Sequence, residues 1–169
     1  MKNYFKKALP KRINSTSLTE LIFIGVGAFV GLEMLVLLSA YSKEPLLLGS
    51  FGASIFILMA TPESTFAQPR NLIGGHLVAT IIGMMCIEFL GKDFLFLGIA
   101  LSLTVVSMIV FEISHPPAAS NPIIVYVSIP DWEFILFPTL IGVIFLLLFA
   151  FIYHKFISKR KYPKYWLKV

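Results

Sequence analysis

Residues 114–122 read Ser-His-Pro-Pro-Ala-Ala-Ser-Asn-Pro, a dense run of polar and helix-breaking side chains. An imidazole at His115 takes up and releases protons near neutral pH. Ser120 and Asn121 can donate hydrogen bonds to the oxygens of a small anion. A second stretch, Gly49-Ser50-Phe51-Gly52-Ala53-Ser54, is small and polar in the same way. A helix beginning near Ser54 would aim unpaired backbone amides at an anion, and Gly52 would let it come close. Arg70, His76 and Glu33 complete the candidate set. Arg70 attracts or clamps the anion, or it is a topology charge at a helix start. His76 lines the path or bonds a backbone carbonyl. A protonated Glu33 couples proton movement to the anion, or it makes an inter-helix hydrogen bond, with His76 as candidate partner. The competing reading of residues 49–54 is helix packing through small side chains. For His115 it is a cap on the preceding segment.

The elements that must position these groups are apolar and long. The 169-residue chain is 57% hydrophobic and 14% charged, with mean hydropathy +0.86. A soluble domain carries about 25% charged residues. The expected class is therefore an all-α integral membrane protein, with spans at residues 21–40, 46–61, 72–90, 94–113, a short crossing within 116–129, and 134–153. Segment 46–61 gives about 24 Å of helix against a hydrocarbon core of about 30 Å. It is either tucked among other helices or unwound at its Gly/Ser end. Pro116 and Pro117 stop the helix before them. Residues 1–20 form a basic segment, with Pro10 closing a short interfacial piece. Residues 21–153 form the transmembrane domain, and 154–169 a basic tail in which Tyr162, Tyr165 and Trp166 suit an interfacial anchor.

The net charge of +5 sits at the chain ends, which excludes a nucleic-acid surface and points to topology. Six spans place twelve Lys and Arg on one side and two, Lys43 and Lys92, on the other. Both termini are then cytoplasmic in a multi-pass protein of the cell (inner) membrane. A re-entrant hairpin at 116–129 is the alternative. The 21–40 run is too long for a cleaved leader and reads as an uncleaved span. Cys86 stands alone, and His76, His115 and His154 lack ligand spacing, so no metal and no cofactor is expected. Nor is there a Ser/His/Asp set or a nucleotide loop, so the chain reads as no enzyme. Glu88 and Glu112 fall near span ends and are read as structural.

Two short spans among six suggest a 3+3 inverted repeat. Ala53-Ser54 and Ala119-Ser120 each open a short span, and Pro69 to Gly74 loosely matches Pro138 to Gly142. Three stretches in order then carry a resemblance: residues 49–54, residues 67–76 (Ala-Gln-Pro-Arg-Asn-Leu-Ile-Gly-Gly-His) and His115-Pro116-Pro117-Ala118-Ala119. With them the chain resembles the HPP family of small integral membrane proteins over residues 20–153. It departs from the family at Ala119-Ser120-Asn121, where a glycine often follows the motif's alanine. The resemblance implies membrane transport of a small inorganic anion, with nitrite as candidate, because members have been linked to nitrite transport. The lipid bilayer and a second copy of the chain, as a homo-oligomer, are the other expected partners. The alternative is a non-transporting membrane interaction or sensor subunit, since some members carry a CBS domain.

Overall fold

The computed structural model describes residues 17–42 and 48–167. Lys2, Lys6, Lys7, Lys11, Arg12, the Pro10 segment, the turn at residues 43–45 and Lys168 lie outside the described residues. Six α-helices are present among those described. They are α1 (Leu18–Ser42), α2 (Gly49–Ala60), α3 (Pro69–Phe89), α4 (Phe94–Val110), α5 (Asn121–Ser128) and α6 (Ile141–Tyr153). Three helical runs are long and apolar enough to cross a bilayer: Leu18–Tyr41, Pro69–Phe89 and Trp132–Ser158. At 1.5 Å per residue, α2 reaches about 18 Å and α5 about 12 Å, so neither crosses by itself.

Local chemistry sets the boundaries. Pro69 occupies the first turn of α3, where its missing amide hydrogen costs nothing. The helix ends before Gly91, whose φ of 103° is open to glycine. Asp93 caps α4 by accepting from the Leu95 amide at 2.8 Å. Pro116 and Pro117 shape a 3-10 turn, Pro116–Ser120, that leads directly into α5. The last span was expected as one helix over 134–153. Instead Phe137 is non-helical (φ −128°, ψ 118°), because Pro138 forces the residue before it out of helical geometry.

One end of the bundle gathers the starts of α1 and α3 and the ends of α2 and α4, with the tail lying across them. Arg160 donates to the Met59 carbonyl at 3.1 Å and to both Glu63 oxygens, at 3.0 and 2.9 Å from Nη2. Its Nη1 lies 3.9 Å from Glu20. Arg70 donates to the Phe111 carbonyl at 2.9 Å. At the opposite end, Tyr126 donates to the Gly91 carbonyl at 3.2 Å. So α2 finishes at the tail end and α5 at the other, and the two short helices run in opposite directions. The packed core lies between α1, α2 and α6, around Leu35, Phe51, Leu58, Leu146 and Tyr153. Gly27 lets α1 close on Tyr153 of α6, whose hydroxyl donates to the Phe23 carbonyl at 2.7 Å.

The tail corrects an expectation. Trp166 is 54% exposed, as an interfacial residue can be, but Tyr162 is only 5% exposed. Its hydroxyl donates to the Ala67 carbonyl at 2.8 Å, and the Lys164 amide donates to Gln68 Oε1 at 2.8 Å. Gln68 is fully buried and donates to the Pro62 and Ser64 carbonyls, so it organises the α2–α3 connector from inside. Burial pushes the Tyr162 phenol above its ordinary value. A phenol raised in the folded state favours folding while protonated, and that stability is lost as pH climbs above about 10. Tyr162→Phe leaves the Ala67 carbonyl without its donor and should lower stability by about 1–3 kcal/mol at neutral pH. Thermal unfolding in detergent checks this, and the variant should also show a shallower decline above pH 10 than the parent.

Candidate functional site

Five side chains from four elements converge beside the second turn of α3. His76 lies seven residues beyond Pro69, about 10 Å along the helix from the tail end. On one side Ser54 Oγ of α2 is 3.0 Å from His76 Nε2. The same oxygen is 2.8 Å from His115 Nε2 and 3.0 Å from the Ser50 carbonyl, to which its hydroxyl can donate. On the other side Asn121 Nδ2 of α5 is 3.2 Å from His76 Nδ1 and donates to Thr80 Oγ1 at 2.8 Å. Thr80 Oγ1 in turn lies 3.4 Å from Thr139 Oγ1. His76 and His115 face each other with ring centroids 5.0 Å apart, and the Phe51 ring meets His76 edge-on at 5.4 Å. Ser54, His76, Thr80, His115, Asn121 and Thr139 are all fully buried.

The break in the chain is what delivers His115. Asn71 donates to the Ser114 carbonyl at 2.9 Å and fixes the residue before it. His115 Nδ1 is 2.7 Å from the Phe66 carbonyl, which can only accept, so Nδ1 carries the hydrogen. Gly75 makes the approach possible: a Cβ there would stand 2.7 Å from His115 Cβ and 3.2 Å from the Ile113 carbonyl. A cavity of about 270 Å³ opens beside this turn, lined by Phe66, Asn71, Glu112, Ser114 and Tyr165.

The structure gathers Ser54, His76, His115 and Asn121 and leaves other candidates elsewhere. Ser50 is buried one turn along α2 from Ser54. Gly52 is exposed with nothing within 4 Å of where its Cβ would lie, because it sits on the outward face of α2. Ser54 is well inside α2, so it contributes a hydroxyl and not a helix-start amide. Ser120 donates to the Pro117 carbonyl at 2.8 Å and stabilises the turn. Arg70 turns to Phe111 at the bundle end. Glu33 is exposed on α1, and the partners printed by the geometry for His76 are Ser54 and Asn121, not Glu33. Sequence reasoning missed Thr80, Thr139 and the Phe66 carbonyl. Thr80 was findable, since it stands four residues after His76 on the same helical face. Thr139 follows the unexpected break at Pro138, and a backbone carbonyl leaves no sequence signal.

These features define a small polytopic helical membrane protein with a hydrogen-bonded histidine pair sealed among its helices. The sequence matches the profile of the HPP transmembrane region over residues 13–163, and the chain belongs to the HPP family. It is 32% identical over 179 residues to one transmembrane protein of Dictyostelium discoideum and 33% identical over 177 residues to another. Both alignments cover 96% of this chain, which spans 63% and 57% of the relatives' lengths. No solved structure matches.

Gly75→Ala should push His115 off Ser54 and destabilise the protein by about 1–3 kcal/mol, as overpacking against backbone does. Ser54→Ala should cost a comparable ~1–3 kcal/mol by leaving buried imidazole nitrogens unpaired. Gly52→Ala, on the open face, should change little. Midpoints of thermal unfolding for the three variants in one detergent give the comparison.

Proposed function

We propose that this chain crosses the membrane six times, with both termini cytoplasmic, and carries a small inorganic anion, nitrite being the first candidate. Ser50, Ser54, His76, His115 and Asn121 form the place where the anion is held. The observation that carries the reading is an unsatisfied site. Ser50 Oγ and Asn121 Oδ1 are buried and lack hydrogen-bond partners, at the two ends of an otherwise paired cluster. Polar atoms left unpaired within a membrane are costly, and they are characteristic of places that receive a polar solute. An oxyanion would accept from the Ser50 hydroxyl, and a reoriented Asn121 amide would offer it an N–H. A protonated imidazole supplies the positive charge, since Arg70 is held at the bundle end. The opposed directions of α2 and α5 support a 3+3 inverted arrangement, in which paired short helices meet at the solute site. Holding the anion requires no bond to be made or broken in it.

The test is nitrite uptake by liposomes holding the purified protein, with and without a pH gradient. Ser50→Ala and Asn121→Ala should each lower the initial rate about tenfold, the equivalent of one lost hydrogen bond of ~1.4 kcal/mol. Arg70→Gln should stay within about twofold if its role is structural. Flux no greater than in empty liposomes, for nitrite and related anions alike, defeats the proposal.

A second reading draws on the closure of the cluster, with His76, His115 and Asn121 each 0% exposed. It makes the chain an interaction or sensor subunit that moves nothing. Removing residues 159–169 should then abolish partner co-purification while Ser54→Thr leaves it intact.

A further inference from the structure

The histidine pair can be assigned hydrogen by hydrogen, and the assignment has a consequence for protons. His115 Nδ1 must donate to the Phe66 carbonyl. With His115 neutral, its Nε2 is then an acceptor, and the Ser54 hydroxyl 2.8 Å away must donate to it. Ser54 has one hydrogen, so at 3.0 Å it can only accept from His76, whose Nε2 carries the proton. His76 Nδ1 is left as an acceptor, and Asn121 Nδ2 meets it at 3.2 Å. Reversing the Asn121 amide would break this order, because Ser54 would have to donate to two nitrogens at once.

One rotation changes the proton capacity. The Ser50 carbonyl lies 3.0 Å from Ser54 Oγ and offers the hydroxyl hydrogen a second direction. When it turns there, both lone pairs of Ser54 Oγ face the two Nε2 atoms. Ser54 can then accept from both rings, and every nitrogen of the pair keeps a partner with His115 as imidazolium. A second proton has no such place. His76 Nδ1 already faces an N–H donor, and the rings are 5.0 Å apart, so two like charges would repel.

We infer that His115, Ser54 and His76 form a binding site for one proton per chain, switched by rotation of the Ser54 hydroxyl. In uptake, a proton from water forms an N–H bond at His115 Nε2, and the Ser54 O–H bond only rotates. In release, that N–H bond breaks and the hydroxyl swings back. The other groups around His115 leave it this role. The sequences of α2 and α4 contain no titratable side chain. On α3, Arg70 bonds Phe111, while Cys86 and Glu88 lie near the far end of the helix. On α5, Tyr126 bonds Gly91 at the far end. Glu112 and Tyr165 line the 270 Å³ cavity beside Phe66 and Ser114, on the side from which water can reach the turn. Its use in transport rests on the function proposed above, and it narrows the solute to a monovalent anion moved with one proton. The proton site itself does not depend on that reading.

Nitrogen-15 NMR of histidine-labelled protein in lipid nanodiscs, without any anion substrate, tests the site. The rings are assigned with single-histidine variants. At alkaline pH, His115 should be the Nδ1–H tautomer and His76 the Nε2–H tautomer. Acidification should add one proton per chain, at His115, with the His76 tautomer unchanged. Ser54→Ala should move that uptake at least ~1 pH unit lower, and Ser54→Thr, which keeps a hydroxyl, should restore it. An Nε2–H tautomer at neutral His115, two protons entering together, no uptake before unfolding, or an unmoved midpoint in Ser54→Ala overturns the inference. If Ser54→Ala does not fold, the parent tautomers and the Ser54→Thr titration decide it. One-proton uptake without anion flux in liposomes overturns the transport reading and leaves the proton site standing.

Discussion

The hydroxyl of Ser54 is the point on which the bundle is registered. It sits within 3.0 Å of two imidazole nitrogens that come from different parts of the chain. In a bilayer no water replaces a missing partner, so each of these groups must find its partner inside the protein. Sliding α2 by one residue would turn Ser54 through about 100° and strand both rings. The apolar faces cannot enforce such a register, since Leu, Ile and Phe pack against one another in many offsets with little loss. The apolar residues hold the helices together, and the polar cluster selects which arrangement they adopt.

The same constraint explains why the chain is broken where it is. A continuous helix through residues 111–121 would bury its own carbonyls in the ladder and carry His115 past α3 at ordinary helix spacing. The prolines end that ladder, and the short 3-10 turn aims His115 back at the connector. Gly75 removes the side chain that would hold the turn away. Asn121 then opens α5 on the far side of His76, so one short segment supplies partners to both faces of one ring.

Much of this was legible in the sequence. The run from Ser114 to Pro122, the matching stretch at Ser50 and Ser54, and His76 were all recognisable, because polar and helix-breaking residues stand out sharply in an apolar chain. Which of them would meet was not, because it depends on helix rotation. The helices here are hydrophobic on every side, so periodicity does not show the buried face of α1 or α2. That is why Gly52 and Glu33, reasonable from type and depth, turn outward. The tail was misread for a related reason. Basic and aromatic residues suit an interface by composition, and only the fold shows Tyr162 closing over Ala67. The 3+3 repeat rests on lengths and on the opposed α2 and α5, since residue identity between the halves is thin.

The tail and the histidine pair share a physical element. Phe66 and Ala67 are consecutive residues of one short 3-10 turn, Thr65–Ala67. The Phe66 carbonyl orients His115, and the Ala67 carbonyl accepts from Tyr162. The next residue, Gln68, is pinned by the Lys164 amide. Adjacent carbonyls in so short a turn cannot be reoriented independently, because each backbone rotation moves both. Arg160 adds a second hold, bridging the end of α2 to Glu63 at the start of the connector. The tail therefore does more than mark the basic side of the membrane. It holds the carbonyl that fixes the His115 tautomer, and through Ser54 that tautomer sets the state of His76. A chain of hydrogen bonds thus runs from the bundle end to the buried pair without using an apolar contact. In a structure this hydrophobic, such a route is the one along which a change at the surface can alter the protonation of the core.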